Sequence, residues 1–238
     1  MRLYVGTSGY AYDQWDGTFY PAGLPATERL AFYAARIGTV EINNTFHRMP
    51  RREVLRRWAS AVPEGFQFVI KAPRRITHEG RLTDEGDALG ILLRQLEALG
   101  DRRGPILFQT PPYLPARPER LRALLARLPP GVRAAFELRH ASWSDPAVDA
   151  VLAEAGQARC TAEHAATEDE TPLEATASWG YVRLRAPTYD DAELRRWAER
   201  IRDTWDEAYV FFKHEDGAPR LVERMTAVAR ALPGIELR

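Results

Sequence analysis

The chain predicts a TIM-type (β/α)8 barrel, eight parallel strands closed on themselves inside a ring of helices, and three observations predict it. Eight strand-like segments alternate with helix-like ones over 238 residues, close to the ~250 usual for such a barrel. Six strands end in charged or amide side chains: Glu41 and Asn43, Glu137 and Arg139, and Arg183 and Arg185 as pairs set two apart, with Lys71, Gln109 and Lys213 continuing the pattern. Successive strand side chains face opposite sides, so each polar pair shares one face and the apolar residues take the other. No Pro/Gly/Ser-rich linker or shift of composition divides the chain, so residues 1–238 read as one domain.

The first strand, Leu3 to Ser8, runs into Gly9 without the GxGxxG fingerprint that would open a dinucleotide-binding fold. The loop after it, Gly9 to Thr27, is long and carries Tyr10, Tyr12, Trp15, Phe19 and Tyr20; so many aromatics argue against disorder and for a functional lid. A helix over Glu28 to Ile37 leads to the second strand, Thr39 to Asn43, and a helix over Arg51 to Ala61 to the third, Gln67 to Lys71. Leu89, Leu92, Leu93, Leu96 and Leu99 recur at helical spacing and predict a helix over Asp84 to Leu99 before the fourth strand, Pro105 to Gln109. Pro118 to Leu128 is the next helix and Arg133 to Arg139 the fifth strand. Ser144-Asp145-Pro146 offers a cap and a first-turn proline for a helix over Pro146 to Ala155. From the sixth strand, Gln157 to Glu163, to the seventh, Gly180 to Arg185, no convincing helix intervenes. Helices over Asp191 to Asp203 and Pro219 to Leu232 flank the eighth strand, Glu207 to Lys213.

Thirty-three basic residues balance 33 acidic ones, with a pI near 7.0, so the electrostatic footprint of a general DNA binder is missing. One cysteine, Cys160, excludes an internal disulfide and any all-cysteine metal site, and its apolar neighbours mark it as a small core residue. The opening residues lack the apolar stretch of a secretory signal, and no apolar run reaches the ~20 residues of a membrane span. A cytoplasmic protein without membrane contact is the expectation; the sequence leaves its oligomeric state open.

Gly6-Thr7-Ser8-Gly9-Tyr10 with Tyr12, Trp15, Gly17 and Phe19-Tyr20-Pro21 resembles the opening of the YecE-like family, the domain of unknown function 72 (DUF72). Thr39-Val40-Glu41-Ile42-Asn43 with Thr45-Phe46, then Lys71, Thr77-His78, Gln109 with Pro111-Pro112, and Glu137-Leu138-Arg139 with Ser142-Trp143 extend the resemblance over nearly the whole chain. It implies a TIM-type barrel of unassigned biochemistry. The chain departs from the pattern at His47, near Glu163, at Arg185-Ala186 and at Lys213-His214.

The inward ends of barrel strands line the active site of such folds. Glu41 and Glu137 are the candidate acid and base, as in glycoside hydrolysis, with the alternative that each pairs with an arginine to hold the barrel interior together. Arg139, which shares a strand face with Glu137, would keep that carboxylate ionised and so assigns the acid role to Glu41. Five rim cations, Lys71, Arg139, Arg183, Arg185 and Lys213, outnumber three rim carboxylates, Glu41, Glu137 and Glu163, and point to an anionic ligand. Arg183 and Arg185 are its expected clamp beside strands seven and eight, near a helix N-terminus at Pro219. Asn43 and Gln109 are orienting amides.

His78 is a further catalytic candidate, and all five histidines, His47, His78, His140, His164 and His214, follow strands. Their spacing matches no ligand motif, so no cofactor is predicted, while ligand identity alone leaves a divalent metal open. Ser8 lacks a GxSxG elbow. Tyr10, Trp15, Tyr20, Phe46 and Trp143 could stack on a base or sugar, or fill a core under the lid. The leading expectation is an enzyme performing hydrolysis or isomerisation on a phosphate- or carboxylate-bearing small molecule or nucleotide. The alternative is a non-catalytic nucleic-acid module in which the same cations hold phosphates.

Overall fold

The computed structural model describes residues 1–83, 86–163, 171–213 and 216–238. Strands β1 (Arg2–Ser8), β2 (Thr39–Ile42), β3 (Gln67–Lys71), β4 (Arg103–Gln109), β5 (Ala134–Glu137), β6 (Ala158–Ala162), β7 (Trp179–Leu184) and β8 (Glu207–Phe212) pair in sequence order. All pairings are parallel, and β1 joins both β8 and β2, so the sheet closes as expected. The sequence reading missed a ninth strand, β9 (Glu236–Leu237), which pairs with the start of β1 where β2 has not yet reached it. Two residues are too few to show a period.

Helices α1 (Arg29–Ala34), α2 (Arg52–Ser60), α3 (Ala88–Leu96), α4 (Pro118–Leu125), α5 (Pro146–Glu154), α6 (Asp191–Thr204) and α7 (Ala218–Arg230) surround the barrel. The expected cap of α5 is present: the Asp145 carboxylate accepts from the Ala147 amide at 2.9 Å, with Pro146 in the first turn. Pro219 likewise opens α7. The helix expected from Asp84 begins at Ala88, because Asp87 is left-handed with φ 55° and ion-pairs with Arg94 and Arg127; positions 84 and 85 lie outside the described residues. Residues 171–178 hold no helix.

Pro105 sits inside β4 at a register shift, where Phe68 faces Arg103 and Ile70 faces Ile106. A proline has no N–H to give, and a bulge is where a strand tolerates that loss. The pairing between β5 and β6 stops early, at Ala135–Ala158 and Phe136–Arg159, although β6 continues against β7 as far as Ala162–Arg183. The wall therefore parts on the C-terminal side of β5, over a cavity of about 360 Å³ bordered by Glu137, Arg139, Cys160 and Glu174.

Leu3, Val5, Val40, Ile42, Phe68 and Ile70 point outward into the main core under the helices. Val69, Leu107, Ala135, Cys160, Tyr181, Tyr209 and Phe211 fill the interior. Glu207 closes the N-terminal end between Arg2, at 2.6 Å, and Arg133. No helix among the described residues is long and apolar enough to cross a membrane.

Candidate functional site

At the C-terminal mouth the barrel interior turns from apolar to charged. Glu41 and Arg183 are completely buried, and Glu137 nearly so. One guanidinium joins the two carboxylates: Arg183 Nη2 donates to Glu41 Oε1 at 2.8 Å and Nη1 to Glu137 Oε2 at 2.5 Å. Arg185 reaches the second oxygen of Glu137 at 2.6 Å. Tyr181 donates to Glu41 Oε2 at 2.6 Å, Ser8 to Oε1 at 2.7 Å and Asn43 to the same oxygen at 3.0 Å. Every oxygen of the pair is occupied.

That occupancy corrects the expected acid–base assignment. Burial alone would raise the Glu41 pKa, but Arg183 and the bonds from Ser8, Tyr181 and Asn43 outweigh it and hold the carboxyl below its usual range. Burial is likewise outweighed at Glu137, where Arg183, Arg185 and Gln109 hold the pKa at about 2. Both carboxylates are thus favoured in the ionised form and do not differ in the way a donor and an acceptor require. The arginine-paired alternative describes them better.

The anion clamp is corrected in the same way. Arg183 spends both terminal nitrogens on Glu41 and Glu137, and Arg185 gives its Nη2 to Glu137, while the Nε–H groups of both are buried without a partner. Glu163 accepts on Oε2 from the Arg185 and Ala186 amides, at 2.8 and 3.1 Å, and from the Tyr189 hydroxyl. Three cations remain. Arg139 is exposed and 4.0 Å from Glu137. Lys213 is exposed at the end of β8, and no described carboxylate pairs with it. Lys71 is half-buried, its amine 2.8 Å from Gln109 Oε1 and 4.4 Å above the Phe46 ring.

Local structure fixes this amine. The Thr45 hydroxyl, in a single turn at Asn44–Phe46, bonds the Lys71 carbonyl at 2.8 Å and so sets Phe46 beside the end of β3. A wide turn at Arg75–Glu79 then returns the chain, and His78 meets Phe46 edge-on with ring centroids 4.8 Å apart. Burial and the Arg183 charge lower the Lys71 pKa to about 8, against the opposing pull of Glu41 and Glu137. Burial, with Lys71, Arg74 and Arg139, also lowers that of His78, and partial desolvation at the rim, with Arg183 and Arg185, that of the otherwise exposed Lys213.

Glu41, Asn43, Lys71, Gln109, Glu137, Arg139, Arg183, Arg185, Lys213, Phe46 and His78 thus converge on one mouth. The aromatic lid does not form: Trp15 and Tyr20 are buried, and with Phe19 they pack on Phe32 and Tyr33 of α1 outside the barrel. Tyr10 alone of the stacking candidates in that loop stays partly open, lining a hollow with Asn43 and Asn44. Trp143 is fully buried and donates to the Leu114 carbonyl at 2.8 Å, so it cannot stack on a ligand. Among the described residues no three His, Cys, Asp or Glu side chains gather as metal ligands. His140 caps the Ser142 amide, and His164 and His214 lie outside the described residues.

The sequence reading missed Tyr181 and the role of Ser8, which hold Glu41; as an apolar-flanked tyrosine and a strand-end serine neither shows a distinguishing pattern. It also passed over a signal in plain view. The chain has 31 arginines and two lysines, and both lysines, Lys71 and Lys213, stand at the mouth.

The sequence profile of the family described as "Protein of unknown function DUF72" matches residues 4–234. The UPF0759 protein YecE of Escherichia coli K12 is 28% identical over 141 residues, 58% of this chain and 48% of that protein, so the match spans about half the length of this curated relative. A DUF72 family protein of Thermotoga maritima superposes with a TM-score of 0.82 at 23% identity, over 97% of this chain and 100% of that one. Another, from Enterococcus faecalis V583, gives 0.78 at 18% identity over 97% and 98%. At these identities the superpositions establish the fold.

Proposed function

The chain belongs to the DUF72 family, which supplies a barrel and no reaction, and from the barrel's mouth we propose an enzyme that binds a small molecule bearing a phosphate or carboxylate. The observation that supports this reading is the division of labour among the rim cations. Two arginines neutralise the two buried carboxylates and the exposed Arg139 stands 4.0 Å from Glu137, while no described carboxylate pairs with Lys71 or Lys213. Uncompensated like charges held together are costly unless something anionic joins them. Gln109 holds the Lys71 amine and Asn43 the Glu41 carboxylate, and a hollow opens beside Glu137 and Arg139 on the side of β5 and β6. Proton exchange near neutral pH falls to Lys71 and His78, whose pKa values are displaced toward it or below it, rather than to Glu41 and Glu137.

Calorimetry with inorganic phosphate and with acetate tests the reading. Millimolar or tighter binding is expected for at least one, reduced tenfold or more by Lys71→Ala combined with Lys213→Ala. Absence of binding, or affinity unchanged in the double variant, overturns it. Tight, salt-sensitive binding of single-stranded DNA in place of small anions would favour the nucleic-acid reading.

A further inference from the structure

Anion binding does not explain why the mouth uses lysine. Arginine's planar fork suits phosphate and carboxylate at least as well as an ammonium does, and this chain uses arginine at 31 of its 33 cationic positions. Two positions drawn at random from those 33 would both fall among the five rim cations about once in fifty draws. What lysine can do and arginine cannot is give up its proton and become a nucleophile, because a guanidinium stays protonated at any pH a protein survives.

Of the two lysines, Lys71 has the setting such a nucleophile needs. It is half-buried, its amine lies over the Phe46 ring, its hydrogen-bond partner is the neutral Gln109 amide, and no described carboxylate comes within ion-pair distance to hold the proton on. Burial and the Arg183 charge, with Lys213, favour a neutral amine there and outweigh the opposing pull of Glu41 and Glu137. Lys213 is exposed. The exposed rim cations Arg139 and Lys213 would draw in an anionic substrate.

We propose that Lys71 forms an imine with a small aldehyde or ketone that carries a carboxylate or phosphate group. The neutral Nζ attacks the carbonyl carbon and the C–N bond forms while the carbonyl π electrons move to oxygen, which takes up a proton. The nitrogen then loses its extra proton, the hydroxyl takes up a second proton and leaves as water as the nitrogen lone pair forms the C=N bond, and the iminium gives up its remaining N–H proton to leave the imine. Amine plus carbonyl gives imine plus water, with no oxidant or reductant. His78, edge-on to the same Phe46 ring over which the amine lies, would pass these protons. The imine draws electrons from the neighbouring carbon, which suits isomerisation or carbon–carbon cleavage beside a carbonyl.

This inference rests on the anion reading of the mouth, and one experiment separates the two. The intact protein is incubated with pyruvate, or with glycolaldehyde phosphate, and sodium cyanoborohydride, and the adduct is mapped by peptide mass spectrometry. With two lysines and one terminal amine in the chain, the assignment is unambiguous. The expected result is one adduct per chain, on Lys71, formed at least tenfold faster than on Lys213, with either the carboxylate or the phosphate probe preferred and inorganic phosphate slowing it. Lys71→Arg, which keeps the charge, abolishes the adduct while circular dichroism stays unchanged. Reaction that prefers Lys213 or the N-terminus, or no reaction on wild-type protein that binds phosphate in calorimetry, overturns the imine and leaves the anion site standing. Loss of anion binding itself overturns both.

Discussion

At the scale of single residues, the mouth divides into groups that hold the barrel and groups that are left free to act. Arg183 belongs to the first. It is fully buried between two carboxylates, and removing one member of a buried ion pair leaves an uncompensated charge. Arg183→Met is expected to cost roughly 3–5 kcal/mol. Adding Glu41→Gln and Glu137→Gln should recover part of that loss, because the three act as one network; denaturant titration that finds the substitutions simply additive would refute the coupling. Lys71 belongs to the second group. Glu41 and Glu137 face it with negative charge and Arg183, Lys213 and His78 with positive or titrating groups, and burial with the Arg183 field prevails, giving a pKa of about 8. In the unfolded chain a lysine keeps its proton to about pH 10.4. The folded state therefore binds fewer protons between these values, and stability should rise with pH across that window. Lys71→Met removes the deficit, so its Tm at pH 7 should equal or exceed that of the wild type, and its Tm should lose the rise. Phosphate affinity should fall as pH climbs through 8, an inflection that Lys71→Arg abolishes.

At the scale of elements, the helices are set by local signals and the first loop by a distant one. Asp190 and Glu193 cap α6 reciprocally, at 2.7 and 2.6 Å. Asp190→Ala should cost about 1 kcal/mol without touching ligand binding. The loop after β1 is expected from its aromatics to be a lid, yet Trp15 stacks against Tyr33, whose hydroxyl donates to the Thr39 carbonyl and ties α1 to β2. Trp15→Ala should accordingly behave as a core deletion, costing roughly 3–5 kcal/mol, with anion affinity little changed once the protein is folded. A strong loss of affinity at unchanged stability would restore the lid. Gly6 answers to packing rather than to turn geometry: a Cβ there would sit 2.3 Å from the Thr39 carbonyl oxygen, where β1 and β2 meet to close the barrel.

At the scale of the whole molecule, the ion pairs inside the mouth couple stability to acid. Glu137 titrates at about 2 when folded, below its ordinary 4.5. A lowered carboxylate pKa stabilises the fold above the ordinary value and loses that contribution as pH falls toward the folded one. From Glu137 alone this amounts to roughly 3 kcal/mol, and Glu41 shifts in the same direction. Urea midpoints should be flat near neutrality and fall steadily between about pH 5 and pH 2. A midpoint that holds down to pH 3 would mean that the Arg183 network contributes little.

The sequence by itself determined the order of strands and helices, the closure of the barrel and the convergence of the strand-end residues. Each of these follows from period-two alternation, helical spacing and caps, which are local properties of the chain. Partner choice was decided only by the tertiary structure. That Arg183 of β7 serves Glu41 of β2 and Glu137 of β5, and so is withdrawn from ligand binding, depends on side chains meeting across the barrel lumen over sequence separations of 142 and 46 residues. Trp143 and the aromatics after β1 look alike in the sequence whether they stack on a ligand or fill a core, since burial is a property of what packs against them. The scarcity of lysine was legible from the start, but its meaning depended on place: a residue type that is rare in a chain carries information only once the fold brings its two copies to the same mouth.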